Sequence, residues 1–222
     1  RFLNVEPMKD EDYFNAMFEV YLKNLKEHSD IILPAHCFKD IEANSKKGKI
    51  SAFLTIEDGR MINNDFDKLE DLYDLGVRAL TLTWNDANCF GFPHSSKPEE
   101  MMKGLTRFGK EAIDYMNELG MLIDVSHLSD GGFWDVMKLS KQPVAATHSN
   151  CRELCPHTRN LTDDMIRALG NNGGVMGLNF YPAFLNCDPT DDHGRIDVMI
   201  KHLKHMVSVG GVEVAALGSD FD

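Results

Sequence analysis

Short, nearly continuous apolar runs alternate along this chain with segments of helical periodicity, about six times over. Seven runs read as strands: 2–5, 50–57, 77–84, 121–127, 143–149, 174–181 and 213–220, each rich in Val, Ile, Leu, Thr or Phe. Runs that are apolar at successive positions belong to strands covered on both faces, as in parallel sheets. Helical patterns fill the intervals at 10–28, 66–76, 104–120, 161–173 and 197–211, and "GGFWDVMKLS" supplies another between the fourth and fifth strands. Gly76 and Gly120 act as helix stops, and Gly120 suits the left-handed position past a helix end. Thr162 reads as an N-cap, followed by acids that complement the helix dipole. Repeated strand–helix units imply right-handed crossovers and a parallel sheet. A (β/α)8 barrel and a doubly wound open sheet both satisfy this pattern. No GxGxxG follows the first strand and no P-loop occurs, which counts against nucleotide-binding folds.

The bulk properties narrow the function classes. With 222 residues, 43% hydrophobic and 26% charged, the chain has the composition of one globular domain over 1–222. A net charge of −12 without a basic stripe argues against nucleic-acid partners. No apolar run reaches the length of a membrane span, and "RFLNVEPMKD" does not read as a signal peptide. The five cysteines (Cys37, Cys89, Cys151, Cys155, Cys187) are odd in number and lack CxxC spacing, so reduced thiols in a cytoplasm are expected. Cys151 and Cys155 read as ordinary small residues near a loop.

In a parallel barrel the C-terminal strand ends converge on one mouth, where sites are built. Four strands here end in a potential ligand or proton-transfer group: Glu57 after "AFLTI", His127 after "IDVS", His148 after "VAAT" and Asp220 after "AALGS". Singly, each has a plain explanation, a satisfied hydrogen-bonding residue or a helix cap. Together, that account needs four coincidences at one rim. The donor types suit zinc, and a carboxylate such as Glu57, with two oxygens, can bridge two ions. Such ions lower the pKa of a shared hydroxide, and Asp220 can move the proton. The loop 85–104 follows a strand and is placed to shape the site. Arg159 lies in the loop after the His148 strand, suited either to clamp a substrate carboxylate or to pair with Asp163 or Asp164. His202 and His205 are expected on a solvent-exposed helix face.

Taken together, "GVRALTLTWNDAN", "LIDVSHLSDGGFWDV", "PVAATHSNCRELCPHTRNLTDDMIRAL", "GGVMGLNFYP" and "ALGSDFD" resemble the membrane dipeptidase (renal dipeptidase) family of zinc peptidases, closest to its bacterial branch. The resemblance implies a (β/α)8 TIM barrel that hydrolyses dipeptides, often with a C-terminal D-residue, by a metal-activated hydroxide. It implies two Zn2+ ions bridged by Glu57, with His127 and His148 on the second ion. Arg159 would hold the substrate carboxylate and Asp220 would be the catalytic acid/base. A homodimer is compatible with it.

Two departures are visible. The family's opening His-x-Asp pair is absent, so the chain is expected to be an incomplete barrel lacking the first strand and the C-terminal part. Trp84 stands where the animal enzymes place a substrate-contacting His. Two rivals remain: a related metal hydrolase of cyclic amides or amino-acyl conjugates, and a non-catalytic binding barrel that has lost its first metal site.

Overall fold

The structure, a computed structural model, describes residues 9–186 and 195–221. The strand expected at 2–5 and Cys187 lie outside them. Helix α1 (Asp10–Glu27) precedes β1 (Ile32–Pro34), α2 (Phe38–Lys46) and β2 (Ile50–Ala52), and β1 pairs with β2 in a small parallel sheet of its own. After β3 (Leu54–Glu57) come α3 (Phe66–Asp74), β4 (Val77–Thr81), α4 (Pro98–Met101), α5 (Arg107–Leu119) and β5 (Leu122–Asp124). The rest is α6 (Asp130–Leu139), β6 (Ala145–Ala146), α7 (Asp163–Asn172), β7 (Val175–Leu178), α8 (Pro182–Leu185), α9 (Ile196–Gly210) and β8 (Ala215–Leu217).

Strands β3 to β8 form one six-stranded sheet in sequential order, parallel throughout. Sequential parallel order is what right-handed strand–helix–strand units produce. Among the described residues no pairing joins β8 back to β3. Glu57 is opposite Thr81, Thr81 opposite Asp124, and Asp124 opposite Ala145, so the C-terminal ends lie at one level.

The strands are shorter than the apolar runs. The run 50–57 is two strands, β2 and β3, in different sheets, separated at Phe53, and β1 was not expected at all. Helix ends follow local chemistry more closely. The Thr162 hydroxyl accepts from Met165 N at the start of α7, and Thr106 caps α5 through Gly109 N. Gly120 and Gly173 take the left-handed conformation at the ends of α5 and α7 (φ 78° and 75°), which a Cβ would penalise.

The core lies between the sheet and the helices that cover it. Leu80, Ile123 and Ala146 from the strands pack with Ile113, Met116, Phe133, Ile166 and Leu169 from α5, α6 and α7. Burial of most residues of β4 to β7 explains why these strands show no polar alternation.

Candidate metal and substrate site

Glu57, His127 and His148 meet at the C-terminal end of the sheet. Glu57 Oε1 lies 3.0 Å from His127 Nε2 and 3.2 Å from His148 Nε2. One donor atom from each of the three falls within 4.8 Å of the others. Both imidazoles are 8% exposed, whereas the Glu57 side chain is 44% exposed and faces open space. His127 reaches this position with φ 67°, and Asp220 with φ 61°. Positive φ is uncommon outside glycine, although His and Asp adopt it more readily than most residues.

Electrostatics favour a charged Glu57. Burial disfavours the Glu57 charge, but the adjoining His127 and His148 outweigh burial and hold the carboxyl far below its ordinary range. Burial lowers the His127 pKa against the pull of Glu57. His148 Nε2 and His127 Nδ1 are buried without a hydrogen-bond partner, although His148 Nε2 lies close to Glu57. Two imidazole nitrogens and a carboxylate oxygen that converge this closely form an arrangement that a cation can bridge. The donor set, two imidazoles and a carboxylate, therefore fits a divalent metal such as zinc.

Beside these donors opens a cavity of about 620 Å3 lined in part by Glu57, His127, Trp84, Arg159 and Asp220. His148 is not among the lining residues and meets the site through Glu57. Arg159 is 4% exposed, donates from Nη2 to the His148 carbonyl at 3.1 Å, and leaves Nε buried without a partner. Burial pulls its pKa down to about 10, opposed by Asp124, Glu57 and Asp220. The alternative of an Arg159 pair with Asp163 or Asp164 is not formed. Asp163 binds His205 at 2.7 Å and Asp164 binds Arg167.

Asp220 is exposed at the cavity edge and accepts from Asn179 Nδ2 at 2.9 Å. Asn179 is fully buried and bonded in turn to Asn150, whose N–H donates to Asn160 Oδ1. This asparagine ladder ties the Arg159 loop to the strand end bearing Asp220. The Trp84 ring lies 6.3 Å from the His127 ring, three residues past the end of β4.

The sequence reading missed two histidines in this cavity. His94, from the loop 85–104, bonds Thr158 Oγ1 through Nδ1 at 2.8 Å. Burial and the nearby Arg159 push its pKa down to about 3. His157 stands 6.2 Å from it, ring to ring. The only hint was their placement in loops following strands. One expectation fails outright. His202 is fully buried, accepting at Nδ1 from Cys151 N (3.1 Å) and reaching the Leu185 carbonyl through Nε2 (3.0 Å). The α9 face judged polar is where α8 and the loop after β6 pack. Cys151 and Cys155 are buried thiols, the Cys155 thiol donating to the Ala183 carbonyl, and burial raises Cys151 to about 12. Among the described residues no helix is long and apolar enough to cross a membrane.

The chain resembles known peptidases in sequence and in fold. The model of the family described as membrane dipeptidase (peptidase family M19) matches residues 14–222. A protein of Schizosaccharomyces pombe named as an uncharacterized dipeptidase is 39% identical over 183 residues, 82% of this chain and 44% of that one. A Klebsiella pneumoniae protein from the region 5′ of pqqA is 37% identical over 190 residues, covering 82% and 69% of the two chains. Among solved structures, the metallopeptidase dipeptidase AC superposes with a TM-score of 0.84 at 30% identity, over 93% of this chain and 62% of that one. A Rhodobacter sphaeroides metallopeptidase, bound to a phosphinate mimic of the dipeptide L-Ala-D-Ala, gives 0.77 at 31% identity, over 86% and 56%. The chain thus spans between 44% and 69% of these proteins. Its fold is α/β of the TIM-barrel type, with a parallel sheet. With the matched family model, these likenesses establish that the chain belongs to the membrane dipeptidase family of metallopeptidases.

Proposed function

We propose that this chain carries the catalytic face of a zinc dipeptidase. The observation that supports it most is the meeting of Glu57, His127 and His148 beside a buried guanidinium whose Nε has no partner. In this reading His127, His148 and Glu57 would hold zinc, and the Glu57 carboxylate could also serve a second ion. Bound zinc would activate water and polarise the peptide carbonyl.

The other roles belong to side chains. Arg159 faces the substrate's terminal carboxylate, and two parallel N–H···O bonds from a rigid fork would select a free C-terminus. That requirement explains a preference for dipeptides, since a longer chain would place an amide there. Asp220, held at one oxygen by Asn179, keeps the other to carry a proton to the leaving amine. Trp84 offers a ring face to the substrate. The L-Ala-D-Ala mimic bound by the Rhodobacter sphaeroides relative supports tolerance of a C-terminal D-residue.

The test is an assay of L-L and L-D dipeptides against cyclic amides, using the full-length protein with added Zn2+. Dipeptide turnover is expected. Its absence, with cyclic amides hydrolysed or nothing turned over, overturns the reading in favour of a related hydrolase or a binding barrel. His148→Ala is expected to lower zinc content. Asp220→Asn is expected to keep zinc and lose turnover by roughly 100-fold or more, the usual scale for a proton-transfer group. The reverse pattern would show the roles to be misassigned.

A further inference from the structure

Behind the site lies a buried hydrogen-bonded chain. Asp124, at the end of β5, is 2% exposed and receives four donors. Its Oδ1 accepts from the backbone N–H groups of Ser126 (3.0 Å) and Thr147 (2.9 Å). Its Oδ2 accepts from the hydroxyls of Thr81 (2.6 Å) and Thr147 (2.5 Å). The Thr147 hydroxyl also lies 2.8 Å from Nδ1 of His148.

The direction of these bonds follows from counting protons. A carboxylate only accepts, so the single Thr147 hydroxyl proton points at Asp124. The oxygen then has only lone pairs to offer, and the bond to His148 requires that Nδ1 carry the imidazole proton. In the neutral imidazole, the form that ligates a metal, Nε2 then carries the lone pair on the side facing Glu57. Ser126 Oγ, 3.5 Å away, can fill the second Thr147 lone pair without disturbing this order. No such tether exists for His127, whose Nδ1 is buried without a partner.

We propose that Thr147 is a positioning residue which, acting through its bond to Asp124, fixes His148 in the one tautomer that presents Nε2 to a metal ion. This rests on the metal site proposed above. Outer partners of this kind orient a ligating imidazole and raise its affinity, commonly by direct contact with a carboxylate. Here a threonine hydroxyl stands between, so the polarity of the chain can be reversed by one atom. In Asp124→Asn the two backbone N–H groups keep the amide oxygen at the Oδ1 position. The amide nitrogen then replaces Oδ2 and donates to Thr147, whose freed proton turns to His148 Nδ1. The imidazole would then be protonated at Nε2, the wrong form for a ligand.

The test is Zn2+ affinity of the full-length protein, stripped of metal and titrated against a competing chelator. Thr147→Val and Asp124→Asn are each expected to weaken binding by roughly 10- to 100-fold, and Thr147→Ser to stay within about threefold of wild type. Thr81→Val removes a hydroxyl from the same Asp124 oxygen without touching His148, and should bind zinc as wild type does. A second readout is the 15N spectrum of the metal-free His148 ring, protonated at Nδ1 in the wild type and at Nε2 in Asp124→Asn. Thermal unfolding of the metal-free forms checks that each variant is folded. If Asp124→Asn does not fold, the Val and Ser variants of Thr147 decide. Equal zinc affinity in wild type and Thr147→Val overturns the proposal. So does an equal loss in Thr147→Ser or Thr81→Val, which would mark a packing role. A wild-type protein that binds no Zn2+ overturns the metal site itself.

Discussion

The N-terminal layer and the six-stranded sheet obey different rules. Helix α1 buries none of its residues, and α2 buries only Asn44. Tyr13, Met17 and Val20 on α1 are each more than half exposed. Helix α5, by contrast, buries Gly109, Ala112, Ile113 and Met116 against the sheet. Both regions use similar apolar residues at helical spacing, so the difference lies in what each helix finds to cover. The candidate ligand set depends on the second region. His127 and His148 follow β5 and β6, whose mostly buried residues leave the backbone few alternative positions, whereas Glu57 ends β3, whose residues are half-buried or exposed.

The largest effect should come from the packed side. Ile113 is fully buried, and Ile113→Ala is expected to cost about 2–5 kcal/mol in denaturant unfolding, transfer and cavity terms combined. A loss under about 1 kcal/mol would mean that α5 is no better anchored than α1.

Next comes Gly177 on β7. A Cβ there would lie 2.0 Å from the Thr147 carbonyl oxygen, and one at Gly218 would lie 1.7 Å from the same atom. Two glycines thus let three strands close on the residue beside His148. Gly177→Ala should cost about 1–3 kcal/mol by overpacking and also weaken Zn2+ binding by displacing Thr147 and His148. Loss of stability with zinc affinity intact would show that the strand end adjusts independently of the sheet.

What was legible in the sequence divides along the same line. Helix ends were readable because their causes are local, as at Thr162, Gly120 and the acids following Thr162. Glu57, His127 and His148 were readable because each terminates an apolar run, and parallel strands bring such ends together. The break at Phe53 was not, since the assignment of β2 and β3 to different sheets depends on β1, three residues that pair across a helix. Asp124 was hidden inside "LIDVSH". Its four donors come from positions near it or far along the chain, and no local pattern shows a carboxylate solvated by Thr81 and Thr147. His202 was misjudged because helical spacing gives a face but not what packs upon it.

The smallest effect should be found on α1. Val20 is 51% exposed there. In the 222-residue chain, Val20→Ala should change stability by no more than about 0.5 kcal/mol, the usual range for a surface position. The measurement is denaturant unfolding at several protein concentrations. An unchanged midpoint across concentrations, with Ile113→Ala strongly shifted, would establish that only the sheet side is load-carrying. A loss above about 2 kcal/mol for Val20→Ala that grows with protein concentration would mean that a second copy covers this helix, because linked association makes stability depend on concentration. The apolar face of α1 would then be an interface, and the two regions would differ in their partner rather than in packing.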